Sequence, residues 1–227
     1  LFCLHGGGYV MGSLNSHRGL ACQLAKTLEA TAIVPDYRLA PRYPFPAAVD
    51  DTVNAWYWLS QQEEAREIVL AGDSAGGGLA LALLLKLREE QLRMPEAVVL
   101  LAPWADLTNS SEELARQARL DPMLRLQGLA LAAKAYAHRT AVDNPYISPL
   151  LGQLHGLPPV LIQVGTHDIL LNDSLRLEKK LKAAGVETDL KVWPKMLHVW
   201  QMYYDFLPEA RKALAEVGRF GRKILGD

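Results

Sequence analysis

The chain has 227 residues, 50% of them hydrophobic and 22% charged, the make-up of one globular domain able to bury a sizeable core. Twenty-four Lys and Arg against 25 Asp and Glu leave a formal charge of −1, too little for a nucleic-acid or anionic-membrane footprint. The longest strictly apolar run, Leu79 to Leu85, is far too short to span a bilayer. The two cysteines, Cys3 and Cys22, make neither a disulfide framework nor a zinc ligand set, and both read as small buried apolar side chains.

The first residues, Leu1-Phe2-Cys3-Leu4, read as a buried strand. The chain opens mid-strand without an initiator Met, so further residues are expected upstream, and the lack of a signal peptide is uninformative. In chain order there follow a helical pattern over Ser16–Glu29, a strand over Thr31–Asp36, a helix over Ala47–Gln61, a strand over Ile68–Gly72 and a helix over Ala75–Arg93. A strand over Ala97–Leu101, a helix near Leu124–His138 and a strand over Val160–Val164 come next. The last elements are a helix over Asp173–Ala184 stopped by Gly185, a strand over Thr188–Val192 and a helix over Pro208–Leu225 with Pro208 in its first turn. Strands alternating with helices predict a mostly parallel sheet wrapped by helices. Most strands are continuously apolar, as expected where both faces are covered. Ala105–Pro149 is too long for a simple crossover and reads as an insertion of about 105–149 with its own helix, decorating one domain, 1–227.

Gly72-Asp73-Ser74-Ala75-Gly76 is a Gly-x-Ser-x-Gly between a strand and a helix. A nucleophile elbow needs that setting, because the turn is sharp and the serine is held strained with Oγ exposed. Gly72 and Gly76 remove Cβ atoms where strand and helix cross closely, and the helix N-terminus favours developing negative charge. A bland glycine turn is the competing reading, and the flanking strand and helix argue against it. His5-Gly6-Gly7-Gly8-Tyr9 follows the first strand, and three glycines let backbone N–H groups converge on one point, as an oxyanion hole requires. A phosphate-cradling loop fails on spacing, since position 11 is Met11 and no Gly-Lys-Ser/Thr follows.

In an elbow-type α/β enzyme the acid and then the histidine follow the serine. Asp168 lies just beyond the strand Val160–Val164, where strand carboxyl ends present side chains to a crevice. His5 and His17 precede the serine, His138 and His155 precede Asp168, and His167 adjoins it, so chain order leaves His198. Asp173 is the rival acid and reads better as a helix N-cap. Asp73 reads as structural, positioning the turn.

These residues resemble the hormone-sensitive-lipase-like esterases, bacterial lipolytic family IV, of the α/β-hydrolase fold. His5-Gly6-Gly7-Gly8, Gly72-Asp73-Ser74-Ala75-Gly76-Gly77 and the late Asp168 and His198 carry the likeness. So do Asp36-Tyr37-Arg38-Leu39-Ala40-Pro41 with Tyr43-Pro44-Phe45-Pro46-Ala47-Ala48, Pro103-Trp104-Ala105-Asp106-Leu107 and Ser148-Pro149-Leu150. The resemblance implies oxyanion donors at the N–H groups of Gly7, Gly8 and Ala75, with His5 supporting that loop. It also implies two strands and cap helices ahead of the first motif, which this sequence lacks, and matches the insertion to the rest of the cap. Arg42 stands where the family usually has Glu, and His198-Val199-Trp200 replaces His-Gly-aromatic.

The expected activity is carboxylic ester hydrolysis, a carboxylesterase with a Ser74, His198, Asp168 triad and an acyl-enzyme. Tyr9, Trp104 and Trp200 suggest small to medium uncharged acyl esters. The chemistry calls for no cofactor and no metal. A small-molecule ester is the expected partner, with no nucleic acid, no stable membrane insertion, a homodimer implied by resemblance alone, and a cytoplasmic setting. Two other readings are a non-catalytic small-molecule receptor on the same scaffold, as the plant gibberellin receptors resemble these esterases but lack the histidine, and a hydrolase of amides, lactones or carbamates.

Overall fold

The computed structural model describes residues 1–111 and 113–226. Five strands form one parallel sheet in sequential order: β1 (Phe2–Leu4), β2 (Val69–Asp73), β3 (Ala97–Leu101), β4 (Val160–Gly165) and β5 (Thr188–Trp193). Every neighbouring pair is parallel, from Phe2 beside Leu70 to Gly165 beside Trp193. Strands β2, β3 and β4 are buried along their whole length, as their mostly apolar sequences require. Side chains alternate between two cores: Leu70, Val98, Leu100 and Ile162 point to one, and Val69, Ala71, Val99 and Leu161 to the other. Strand β5 is an edge, and its exposed Asp189 and half-buried Lys191 discourage further pairing.

Helices α1 (Leu14–Thr27) and α7 (Pro208–Leu225) cover one face through Leu20, Leu24, Leu214 and Val217. Helices α2 (Ala47–Ser60), α3 (Ala75–Glu89) and α6 (Leu171–Ala183) cover the other through Trp56, Leu83, Leu177 and Leu181. Between β3 and β4 the chain forms α4 (Leu114–Gln117) and α5 (Leu126–Ala137), two helices where the sequence suggested one. The remaining helices match their expected positions to within a few residues, with Pro208 opening α7 and Gly185 at φ +77° just beyond α6.

Three expectations are corrected. Thr31–Asp36 is not a strand: Ile33 alone bridges to β1, with Cys3 N–H donating to Ile33 O at 2.9 Å and Ile33 N–H to Leu1 O at 2.8 Å. The next donor in that ladder would come from Pro35, which has no N–H. Asp173 is not the N-cap of α6, because Leu170 holds that place and Asp173 is buried in the first turn. Cys22 is exposed, while Cys3 is buried as expected.

Candidate active site

Ser74 sits between β2 and α3 at φ +53°, ψ −123°, a backbone region that L-residues occupy only when the surroundings impose it. The imposition comes from β3 and the segment after it. Ser74 N–H donates to Leu101 O at 2.9 Å, and Ser74 O accepts Trp104 N–H at 2.9 Å and Gly77 N–H at 3.0 Å. A Cβ on Gly72 would lie 2.3 Å from Gly76 O, and one on Gly76 would lie 2.1 Å from Leu4 O, so the close crossing admits only glycine at both places.

The glycine loop wraps the mouth of β1. Gly7 has φ +118° and Gly8 φ +62°, and Gly7 O accepts the N–H groups of Val10 and Met11 at 3.1 and 3.0 Å. Among the described residues, the N–H groups of Gly7, Gly8 and Ala75 donate to no protein acceptor. Gly6 N–H donates to Asp73 Oδ1 at 3.0 Å, and a Cβ on Gly6 would meet Asp73 Oδ2 at 2.2 Å. Asp73 thus ties the glycine loop to the elbow, a larger role than shaping its own turn. Its Oδ2 lies 3.3 Å from Nε2 of His17. The Ser13/Ser16 capping box that starts α1 sets His17 on the first turn. Burial is the largest single effect and opposes protonation of His17, but the hydrogen bond to Asp73, the Asp73 charge and the Ser13 carbonyl together outweigh it and raise the imidazole above its ordinary value. His5, fully buried, stacks on Tyr37 at 4.2 Å, its Nδ1 lying 2.8 Å from Gly6 O, and Tyr37 OH donates to His5 O at 2.6 Å.

His198 Nδ1 lies 2.9 Å from Asp168 Oδ2, with both side chains buried. Asp168 Oδ1 accepts Leu170 N–H at 2.8 Å, which fixes the carboxylate. Burial works against the charged imidazole, yet Asp168, with Asp121 and Asp73 farther off, holds His198 above its ordinary value. The Nε2 atom has no protein partner among the described residues and makes no bond to Ser74 Oγ in this arrangement. Such bonds commonly tighten only around substrate.

Ser74, His198, Gly7 and Gly8 line one cavity of about 420 Å³. Its wall is largely apolar: Trp104, Met123, Leu124, Leu129, Val199 and Met202 contribute. Of the aromatic side chains expected there only Trp104 takes part. Tyr9 is buried in stacking on Tyr136 at 3.8 Å, and Trp200 packs against Trp193 at 5.8 Å. A larger cavity of about 580 Å³, at the amino ends of β1 and β2, is lined by no serine, cysteine or histidine.

The site residues expected from the sequence are therefore brought together at the carboxyl edge of the sheet. Sequence reasoning missed His17, set aside because it precedes the serine, and Asp121, whose carboxylate accepts N–H groups at 2.7, 2.9 and 2.8 Å. An Asp-Pro at 121–122 signals only a turn. The rival acid, Asp173, points elsewhere, accepting the N–H groups of Ala105 and Asp106 at 3.0 Å each.

A parallel sheet in this order, with a strained serine after β2 and a glycine loop after β1, defines the α/β-hydrolase class. The family model described as alpha/beta hydrolase fold matches residues 1–202. An acetyl-hydrolase of Streptomyces hygroscopicus is 41% identical over 229 residues, covering 100% of this chain and 76% of that protein. An esterase of Acinetobacter venetianus is 38% identical over 226 residues, covering 99% of this chain and 75% of its own length. Among solved structures, an esterase described as belonging to the bacterial hormone-sensitive lipase family superposes with TM-score 0.95 at 43% identity, covering 100% of this chain and 76% of that one. The chain belongs to the α/β-hydrolase fold family as a hormone-sensitive-lipase-like esterase.

Proposed function

We propose that this carboxylic ester hydrolase works through Ser74 as nucleophile, His198 as general base and Asp168 as the group that orients the base. The observation that carries the reading is the 2.9 Å contact between His198 and Asp168, made beside the strained Ser74 in one cavity. In acylation His198 Nε2 takes the Ser74 proton as Oγ attacks the ester carbonyl. The N–H groups of Gly7, Gly8 and Ala75 would hold the oxyanion, and the α3 N-terminus adds its positive end. The imidazolium then gives its proton to the departing alcohol. A water molecule deprotonated by His198 cleaves the acyl-serine, releasing the acid and restoring Ser74. Asp168 keeps the His198 proton on Nδ1 and balances the transient cation.

A cavity of about 420 Å³ with an apolar wall suits small to medium uncharged acyl groups, and relatives named acetyl-hydrolase and esterase agree with that range. A cytoplasmic setting belongs to the same reading and is supported by the free thiols of Cys3 and the exposed Cys22. Among the described residues no helix is long and apolar enough to cross a membrane. The test is turnover of p-nitrophenyl acetate and butyrate by the protein and by Ser74→Ala. Turnover should fall at least about a thousandfold in a folded variant; retention of it would sink the assignment of the nucleophile.

A further inference from the structure

The loop after β4 presents two successive amides to two different buried carboxylates. Leu170 N–H donates to Asp168 Oδ1 at 2.8 Å, and Ile169 N–H donates to Asp121 Oδ2 at 2.8 Å. Asp121 comes from the segment between α4 and α5, 48 residues earlier in the chain and only 1% exposed. Its other oxygen accepts Met123 N–H at 2.7 Å and Leu124 N–H at 2.9 Å, and both of those residues line the cavity. Among the described residues no cation pairs with this carboxylate, so three backbone dipoles alone compensate it. A second tie runs parallel to it, from buried Gln117 Nε2 to Thr166 O at 2.6 Å.

We propose that Asp121 is a positioning residue for the ester hydrolysis, coupling the pocket wall at Met123–Leu124 to the loop that holds Asp168. This rests on the assignment of Ser74, His198 and Asp168 above. A carboxylate that accepts from both segments at once leaves neither free to shift alone, so substrate contacts at the wall and the aim of the base are set together. Asp121 also contributes charge. The groups facing His198 are Asp168 from the β4 loop, Asp121 from the insertion and Asp73 from the elbow, all favouring the imidazolium. His17 and Arg125 line the same cavity.

Asp121→Asn keeps an accepting oxygen and removes the charge. The full chain should lose about tenfold in kcat with p-nitrophenyl acetate, and the acid limb of its kcat/KM profile should move to lower pH. The ratio of KM for butyrate to KM for acetate should also change, because a single amide oxygen cannot accept from Met123 and Leu124 on one side and Ile169 on the other, and the tie between wall and loop is broken. A folded variant with unchanged kcat, KM ratio and acid limb overturns the proposal, as does a lower kcat with the acid limb and the KM ratio unmoved. If Asp121→Asn does not fold, hydrogen–deuterium exchange of the unmodified protein decides. Segments 121–125 and 166–170 should exchange as one unit, and unrelated rates would overturn the coupling. Ser74→Ala assayed alongside separates the two questions: activity surviving there refutes the nucleophile, whereas an inactive Ser74→Ala beside an unaffected Asp121→Asn refutes this coupling alone.

Discussion

Asp73 accepts the Gly6 N–H at 3.0 Å although the two residues lie 67 positions apart, so the residue before the proposed nucleophile also holds the loop proposed to bind the oxyanion. Asp73→Ala should leave a buried N–H without a partner, costing about 1–3 kcal/mol of stability. It should lower kcat about tenfold or more, since losing one aligned oxyanion donor costs about a hundredfold. Urea unfolding and p-nitrophenyl acetate kinetics test both; unchanged kcat would detach Asp73 from the loop's function.

The partner of Asp73 gives a pH-dependent counterpart. Its hydrogen bond with His17 raises that imidazole against the opposing effect of burial. A folded value above the unfolded one means the stabilisation is full below the unfolded value, about 6.5, and is lost as pH rises through the folded one. His17→Gln should therefore lower the urea midpoint more at about pH 5.5 than at about pH 9. An equal effect at both would show that the pairing contributes no charge.

Much of this arrangement was legible because it is local. Strand, Gly-x-Ser-x-Gly and helix fall within one short stretch, and β2, β3 and β4 announce themselves as mostly apolar runs, β4 interrupted only by Gln163. Chain order after the serine singles out His198, and Asp168 stands out by its place just beyond β4. What escaped depends on pairings across 48, 56 and 68 residues: Asp121 to Ile169, His17 to Asp73 and Asp173 to Ala105. Nothing in the neighbouring sequence distinguishes a carboxylate that will accept buried amides from one left in water. Thr31–Asp36 misled for the opposite reason, since its apolar residues suit a strand while Pro35 removes the donor the ladder needs.

Asp173 is the buried acid whose titration should be felt by the whole fold. Burial pushes it up to about 7, with the Asp106 charge adding to the effect and the two backbone N–H groups and Arg176 opposing it. The native state therefore holds a proton that the unfolded chain has already released, and this contribution to stability declines as pH rises from about 4 to 7. Asp173→Asn retains an oxygen for the Ala105 and Asp106 amides and escapes that decline. Its stability relative to the unmodified protein should grow over this range and level off above it. Parallel pH dependences for the two proteins would refute the shift.

Glycine at the crossing of β1 and α3 is a steric requirement. A Cβ on Gly76 would press on Leu4 O at 2.1 Å and His5 O at 2.6 Å, both main-chain atoms with no rotamer to give way. Gly76→Ala should cost more than about 3 kcal/mol and abolish activity. Gly128→Ala, at an exposed position of α5, meets nothing within 4 Å and should stabilise by up to about 1 kcal/mol. Thermal melts of the pair decide; a Gly76→Ala protein melting within a few degrees of the parent would contradict the crossing.

Val199 follows the proposed base at φ +47°, ψ +46°, a left-handed conformation that a β-branched residue adopts at a cost of about 1–2 kcal/mol. It is 4% exposed and packs into the core beneath α1 and α7 while lining the cavity. Val199→Gly relieves the strain but forfeits about 2 kcal/mol of apolar burial, so the two effects nearly cancel and stability should change by no more than about 1 kcal/mol. The cavity gains the volume of an isopropyl group beside His198. Preference for a longer acyl chain, read as kcat/KM for p-nitrophenyl octanoate over acetate, should then rise about tenfold, the discrimination that one or two methylenes carry in an apolar pocket. An unchanged ratio in a folded variant would mean that Val199 bounds the cavity without contacting the acyl chain.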